Sequence, residues 1–165
     1  AQDASLTIMA GGDKAEVEKV TPLLQHMGKS VTYMGESGSG QATKLANQIL
    51  VANTIASVSE AFLLCESVGV DLVAAREALL GGFAQSKILD MHGERMIEGN
   101  FVPGGAAVNQ LKDVTEACRV ADEHNLKLPM LETNKAAWED MIALDMGDLD
   151  HSGLYQWYKK KHDKA

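Results

Sequence analysis

Residues 41–68 contain neither glycine nor proline, and this stretch constrains the chain more than any other feature. As one helix it would span roughly 40 Å at 1.5 Å per residue. Apolar residues lie almost all round it: Leu45, Ile49, Leu50, Ile55, Val58, Phe62, Leu64 and Cys65. A helix apolar on every side has to be covered on several of them. Its expected place is the centre of a helical domain or a subunit interface. Asn53, Thr54, Ser57, Ser59 and Glu60 interrupt the apolar run, so it does not read as a membrane span.

What precedes this helix has a different character. Leu6-Thr7-Ile8-Met9 is a short strand pattern that ends at Gly11-Gly12. Asp13 with Glu16 three residues on is a helix-start signal, and Val17, Val20, Leu24 and Met27 recur at helical spacing. Pro22 is expected to kink or split that helix. Gly28 ends it, and residues 31–34 form a second strand pattern. One βαβ unit cannot cover both faces of a sheet, so it reads as the last piece of a larger one. The glycine-rich turn at residues 35–40 is the expected domain boundary.

After the long helix come shorter ones. Asp71 is expected to cap a helix that ends at Gly81-Gly82, and another covers 84–98. A loop at 100–105 leads to a helix over 107–124 with an apolar stripe of Ala107, Leu111, Val114, Cys118 and Ala121. Pro129 opens a helix to about residue 144, and the last covers 152–161. The fold class is mainly α: an all-α domain at 37–165 around one long helix, preceded by a βαβ remnant at 1–36.

Charge narrows the function. The net charge of −8 argues against a nucleic-acid groove, which needs a basic surface, and weakly against binding to anionic membranes. Lys159, Lys160, Lys161 and Lys164 form the one basic run and read as a helix C-terminus. Cys65 and Cys118 read as buried thiols of a cytoplasmic protein. The five histidines make no ligand motif, so no metal site is expected. Asp150-His151 reads as a helix start rather than a catalytic pair.

Two phosphate readings of the glycine turn fail on spacing. A P-loop needs Lys directly after its last Gly, and here Gln41 follows Gly40. A dinucleotide fingerprint begun at Gly38 has Thr43 where its third Gly belongs. What remains is a polar cluster on an otherwise apolar helix, Lys44, Asn47 and Gln48, whose i, i+3, i+4 spacing places them on one face. Lys44 falls in the expected first turn, where the helix dipole disfavours a cation. If it is also buried, such an amine exchanges protons near neutrality, and the amides orient it or a substrate oxygen. The competing reading is a solvated lysine beside amides that cap backbone. Lys112, off the apolar stripe with Thr115 and Arg119, is a second candidate; alternatively it belongs to a plain solvated face.

The motif Gly35-x-x-Gly38-x-Gly40-x-x-x-Lys44-x-x-Asn47-Gln48 resembles the interdomain-helix motif of the β-hydroxyacid dehydrogenase family, which includes 3-hydroxyisobutyrate dehydrogenases. The stretches 81–89 and 92–97 are most similar to the tartronate semialdehyde reductase branch; Leu111-Lys112-Asp113 and Asp150-His151-Ser152 resemble later family segments. The resemblance implies that residues 1–36 are the end of a Rossmann domain that binds NAD or NADP. It implies that Lys44 is the catalytic proton donor and acceptor. Asn47 is implied as catalytic and substrate-binding, Gln48 as substrate-binding, and Lys112 as a lysine on the cofactor side. It also implies a small hydroxy acid as substrate and a homo-oligomer, dimer or tetramer, held through the helical domain. The chain by itself is expected to be inactive, because most of the dinucleotide domain lies outside it. Where the family often reads Pro-Gly-Phe, this chain has Pro103-Gly104-Gly105. A 6-phosphogluconate dehydrogenase fits less well, since that group has His-Asn where this chain has Asn47-Gln48. A helical oligomerisation module without enzymatic activity explains the long apolar helix equally well, but not the three polar residues on one face.

Overall fold

The computed structural model describes residues 4–162 and separates into two compact units, Ala1–Asn47 and Gln48–Ala165. The fold is mainly α, as the sequence predicts.

The first unit holds β1 (Leu6–Gly11), α1 (Lys14–Leu24), β2 (Gly28–Gly35) and the start of α2 (Ser39–Ser67). The strands pair in parallel, Ile8 with Val31 and Ala10 with Tyr33, which requires the crossover that α1 provides. The Asp13 carboxylate accepts from the Glu16 amide at 3.0 Å and so caps α1. Pro22 does not split α1: it stands in the last turn, and only two helical residues follow it. Leu23 and Met27 stay exposed.

Gly11 and Gly40 make the junction between β1 and α2. A Cβ on Gly40 would run into the Met9 carbonyl oxygen, and one on Gly11 would lie 2.8 Å from that of Glu36. Both neighbours are backbone and cannot swing away. Gly40→Ala is therefore expected to destabilise this unit by about 1–3 kcal/mol, read as faster hydrogen exchange of the β1 and β2 amides. Unaltered exchange would show that the junction is loose.

The second unit carries the rest of α2, then α3 (Leu72–Leu80), α4 (Lys87–Glu98), α5 (Ala107–Glu123), α6 (Pro129–Ala143), a 3-10 turn at His151–Gly153 and α7 (Leu154–His162). Asp71 caps α3 through the Ala74 amide at 2.9 Å. The helix expected from residue 84 begins only at Lys87, because the Ser86 hydroxyl accepts from the Leu89 amide and sets the first turn there. Gly99, at φ 67°, closes α4 in the left-handed conformation that glycine tolerates best.

Ala52, Ile55 and Phe62 of α2 are fully buried, along with Val114, Trp138, Met141 and Leu154. α4 comes close enough to α2 that a Cβ on Gly93 would sit 3.3 Å from the Phe62 ring. Asn134 ties α6 to α2, donating to the Ala52 carbonyl at 3.0 Å while accepting from the Trp138 indole at 2.6 Å. By length and composition α2 could cross a bilayer, but this buried stripe makes it a core helix. Its other side is open: Leu50 and Leu64 are each about two-thirds exposed, as is Val68 just beyond its end.

Candidate active site

α2 begins at Ser39, two residues before the expected start, because the Ser39 hydroxyl donates to the Glu36 carbonyl at 2.7 Å across the turn. Lys44 consequently lies in the second turn, where the dipole effect has largely faded. It is exposed, whereas the proton-exchange reading asked for burial. Helical spacing puts Lys44, Asn47 and Gln48 on one side of α2, with Asn47 half-buried and Gln48 buried. Exposure makes the amine accessible, so a ligand or further protein would have to supply any desolvation.

Lys112 is exposed on α5. The Gln48 side-chain amide donates to the carboxylate of Asp113, the residue after Lys112. Sequence reasoning named Asp113 only as part of a Lys-Asp pair; the contact joins positions 65 apart, which local pattern cannot reveal. Two open grooves of about 710 Å³ border the second unit, one beside Leu63 and Leu64, the other beside Ile97 and Phe101. Neither includes the candidate residues. Among the described residues no group of side chains could hold a metal ion.

The densest polar arrangement lies at Asp150, which is 1% exposed. Its carboxylate accepts from the Ser152 hydroxyl at 2.7 Å, the Ser152 amide at 3.0 Å and the Gly104 amide at 2.9 Å, with the Gly105 amide at 3.4 Å. Arg95 Nε and His92 Nδ1 stand 3.3 Å away without hydrogen-bond alignment. Burial alone would raise this carboxyl; the bonds from Ser152, Gly104 and Gly105 outweigh it and hold it down at about 2. Asp150 thus starts the 3-10 turn, as the sequence predicts, and also anchors the loop that leads into α5. Gly105 presses against the same cluster: a Cβ there would lie 3.0 Å from the His151 ring. The imidazole takes the space a side chain at 105 would need.

The cluster makes stability acid-sensitive. Burial lowers His92 and His151, so the fold holds them neutral while the unfolded chain takes up protons below about pH 6.5. The Asp150 contribution is present above about pH 4 and disappears as pH falls towards 2. The melting temperature is expected to fall in two stages, first below about pH 6.5 and again below about pH 4. A flat profile from neutrality to pH 4 would contradict the neutral histidines.

Two lysines of the basic run meet carboxylates. Lys159 meets Glu66 at 2.7 Å and Lys161 meets Asp140 at 2.6 Å; Lys164 lies outside the described residues.

Residues 38–158 match a family described as NAD-binding of NADP-dependent 3-hydroxyisobutyrate dehydrogenase, and residues 1–35 match the NAD binding domain of 6-phosphogluconate dehydrogenase. The chain is 44% identical to 2-hydroxy-3-oxopropionate reductase of Escherichia coli K12, over 94% of this chain and 53% of that protein. It is 35% identical to a probable mitochondrial 3-hydroxyisobutyrate dehydrogenase-like protein of Arabidopsis thaliana, over 93% of this chain and 46% of that one. A crystal structure of 3-hydroxyisobutyrate dehydrogenase from Salmonella typhimurium shares the fold, with a TM-score of 0.87 at 22% identity over 94% of this chain and 55% of that one. The chain spans about half the length of the curated relatives it matches. The match over residues 38–158 places the chain in the NAD-binding, 3-hydroxyisobutyrate dehydrogenase-like family.

Proposed function

We propose that the full-length protein transfers hydride reversibly between NAD(P) and a small β-hydroxy acid or its semialdehyde, with tartronate semialdehyde to glycerate as the fitting pair. The observation that carries this is the accessible Lys44, set one helical turn before Asn47 and Gln48, in a chain 44% identical to a protein named for reducing 2-hydroxy-3-oxopropionate. A nicotinamide cofactor supplies or accepts the hydride. In reduction, the carbonyl electron pair moves onto oxygen as carbon gains hydride, and the Lys44 ammonium gives that oxygen its proton. In oxidation, neutral Lys44 takes the proton back. Asn47 orients the amine or the substrate oxygen. Lys112, exposed on α5, suits an anionic partner, either a cofactor phosphate or the substrate carboxylate.

In this reading residues 1–36 close a Rossmann domain and residues 37–165 form the substrate-side domain of a cytoplasmic enzyme. The two-stranded sheet supports this, because a parallel pair with exposed apolar residues is marginal alone. The chain by itself should not turn over NAD(P)H with tartronate semialdehyde, whereas the full-length protein should. Turnover by the chain alone would overturn the division of labour, and a full-length protein inactive on every small β-hydroxy acid would overturn the reaction.

A second reading rests on the exposed apolar side chains Leu50, Leu64, Val68 and Phe83. They fit a helical domain that pairs subunits. Pairing and catalysis can share the domain, and the mass of the full-length protein in solution distinguishes a monomer from a dimer or tetramer.

A further inference from the structure

The loop between α4 and α5 is fastened by polar bonds to one titratable cluster. The Asp150 carboxylate accepts from the Gly104 and Gly105 amides, and the Asp150 amide donates to the Phe101 carbonyl at 3.0 Å. The Arg95 guanidinium donates to the Val102 carbonyl. The His151 amide donates to the Gly105 carbonyl at 3.0 Å, and the ring Nε2 donates to the Ala106 carbonyl at 3.1 Å. Pro103 has no N–H to add. Apolar packing contributes little: Val102 is 73% exposed, Pro103 and Gly104 are exposed, and Phe101 is half-buried. A segment held in this way can open without unpacking the core.

Two imidazoles lie under that segment. Gly105 rests against the His151 ring and Gly104 against Asp150 and Arg95, with the exposed side of Gly104 facing solvent. His92 Nδ1 stands 3.3 Å from the Asp150 carboxylate, and the His92 and His151 rings are 6.2 Å apart. Trp138 of α6 meets the His151 ring edge-on at 6.2 Å and makes that wall apolar. Asp150 favours a charge on either ring, and Asp113 of α5 favours one on His151. Against this stand burial, which is the largest influence on both rings, the Arg95 guanidinium beside His92, and the repulsion of each ring for the other. Charging both would crowd three cations round the single carboxylate of Asp150. Water reaching the rings removes that conflict, and lifting the loop admits it.

We propose that His92 and His151 make this clamp an acid-released latch: mild acid frees residues 101–106 from the 3-10 turn while the helices stay packed. The sign follows from linkage. A ring exposed by opening titrates near pH 6.5, whereas the closed loop holds it neutral to lower pH. Opening therefore takes up protons, and the open fraction grows by as much as about tenfold per pH unit for each ring. Asp150 stays ionised throughout this range, so the latch acts before the carboxylate is lost.

Hydrogen exchange of single amides in this chain, followed by NMR from pH 7.5 to 5.5 and corrected for the intrinsic pH dependence of exchange, tests the latch. Protection of the Gly104, Gly105 and His151 amides is expected to fall at least about tenfold. At every pH these amides should exchange faster than that of Trp138 in the core of α6. His92→Phe combined with His151→Gln removes both titrating rings while the glutamine amide can still donate to Ala106. In that variant loop protection should no longer depend on pH over this range. Three results overturn the proposal: loop protection that stays constant in the wild type, a loss of equal size in the double variant, or loop and Trp138 amides that exchange together at every pH. The last would show that the loop opens only when the whole domain unfolds. If the double variant does not fold, the wild-type profile and its comparison with Trp138 still decide the question.

Discussion

Lys44→Ala in the full-length enzyme is expected to lower kcat by about 10²–10⁴-fold, the range that a positioned proton donor contributes. Folding should survive, because Lys44 is exposed. The loss should fall on kcat with less change in the cofactor KM, since the proton moves only as the carbon–oxygen bond changes order. Lys44→Arg should recover little, because a guanidinium keeps its proton at any working pH. Steady-state kinetics in both directions read the effect. An undiminished kcat would take Lys44 out of the mechanism.

The second large effect concerns the buried anion. Asp150→Ala is expected to destabilise the helical unit by about 3–5 kcal/mol, as when one partner of a buried charged cluster is removed. Four donors from Ser152, Gly104 and Gly105 lose their acceptor, and Arg95 loses the charge beside it. Asp150→Asn retains one accepting oxygen and should cost less. The loop before α5 should loosen in both, because Ala106 pairs with Asp150 and the Ala107 amide donates to the Leu149 carbonyl at 2.8 Å. Urea unfolding of this chain measures the difference. A change below about 1 kcal/mol would show that Asp150 merely caps a short turn.

Local chemistry made most of the fold legible in the sequence. Asp13, Asp71, Ser86 and Asp150 cap their helices through bonds that reach two or three residues, and proline or glycine marks several boundaries. The misplaced start of α4 has the same origin: Ser86 was the cap, two residues beyond the predicted first residue. Pro22 leaves its helix unsplit because only the last turn contains it.

The candidate site was legible in part. The spacing of Lys44, Asn47 and Gln48 fixes a shared face wherever the helix goes. Burial was not legible, since it depends on what packs against that face, and Lys44 is open where enclosure was expected. The partners of Gln48 and Asp150 were hidden for the same reason. Asp113 lies 65 positions from Gln48, and Gly104 lies 46 from Asp150. No periodicity or cap links such residues; only the packed helices bring them together.

The central claim is that the Lys44 amine transfers the proton, and chemical rescue tests it directly. Small primary amines added to the full-length Lys44→Ala enzyme should restore turnover of tartronate semialdehyde, with a rate that depends on the pKa of the added amine as general acid catalysis requires. Rescue that saturates and follows amine pKa is the result expected. An enzyme that stays inactive at every amine concentration, or that the amines accelerate equally with Lys44 in place, would contradict it.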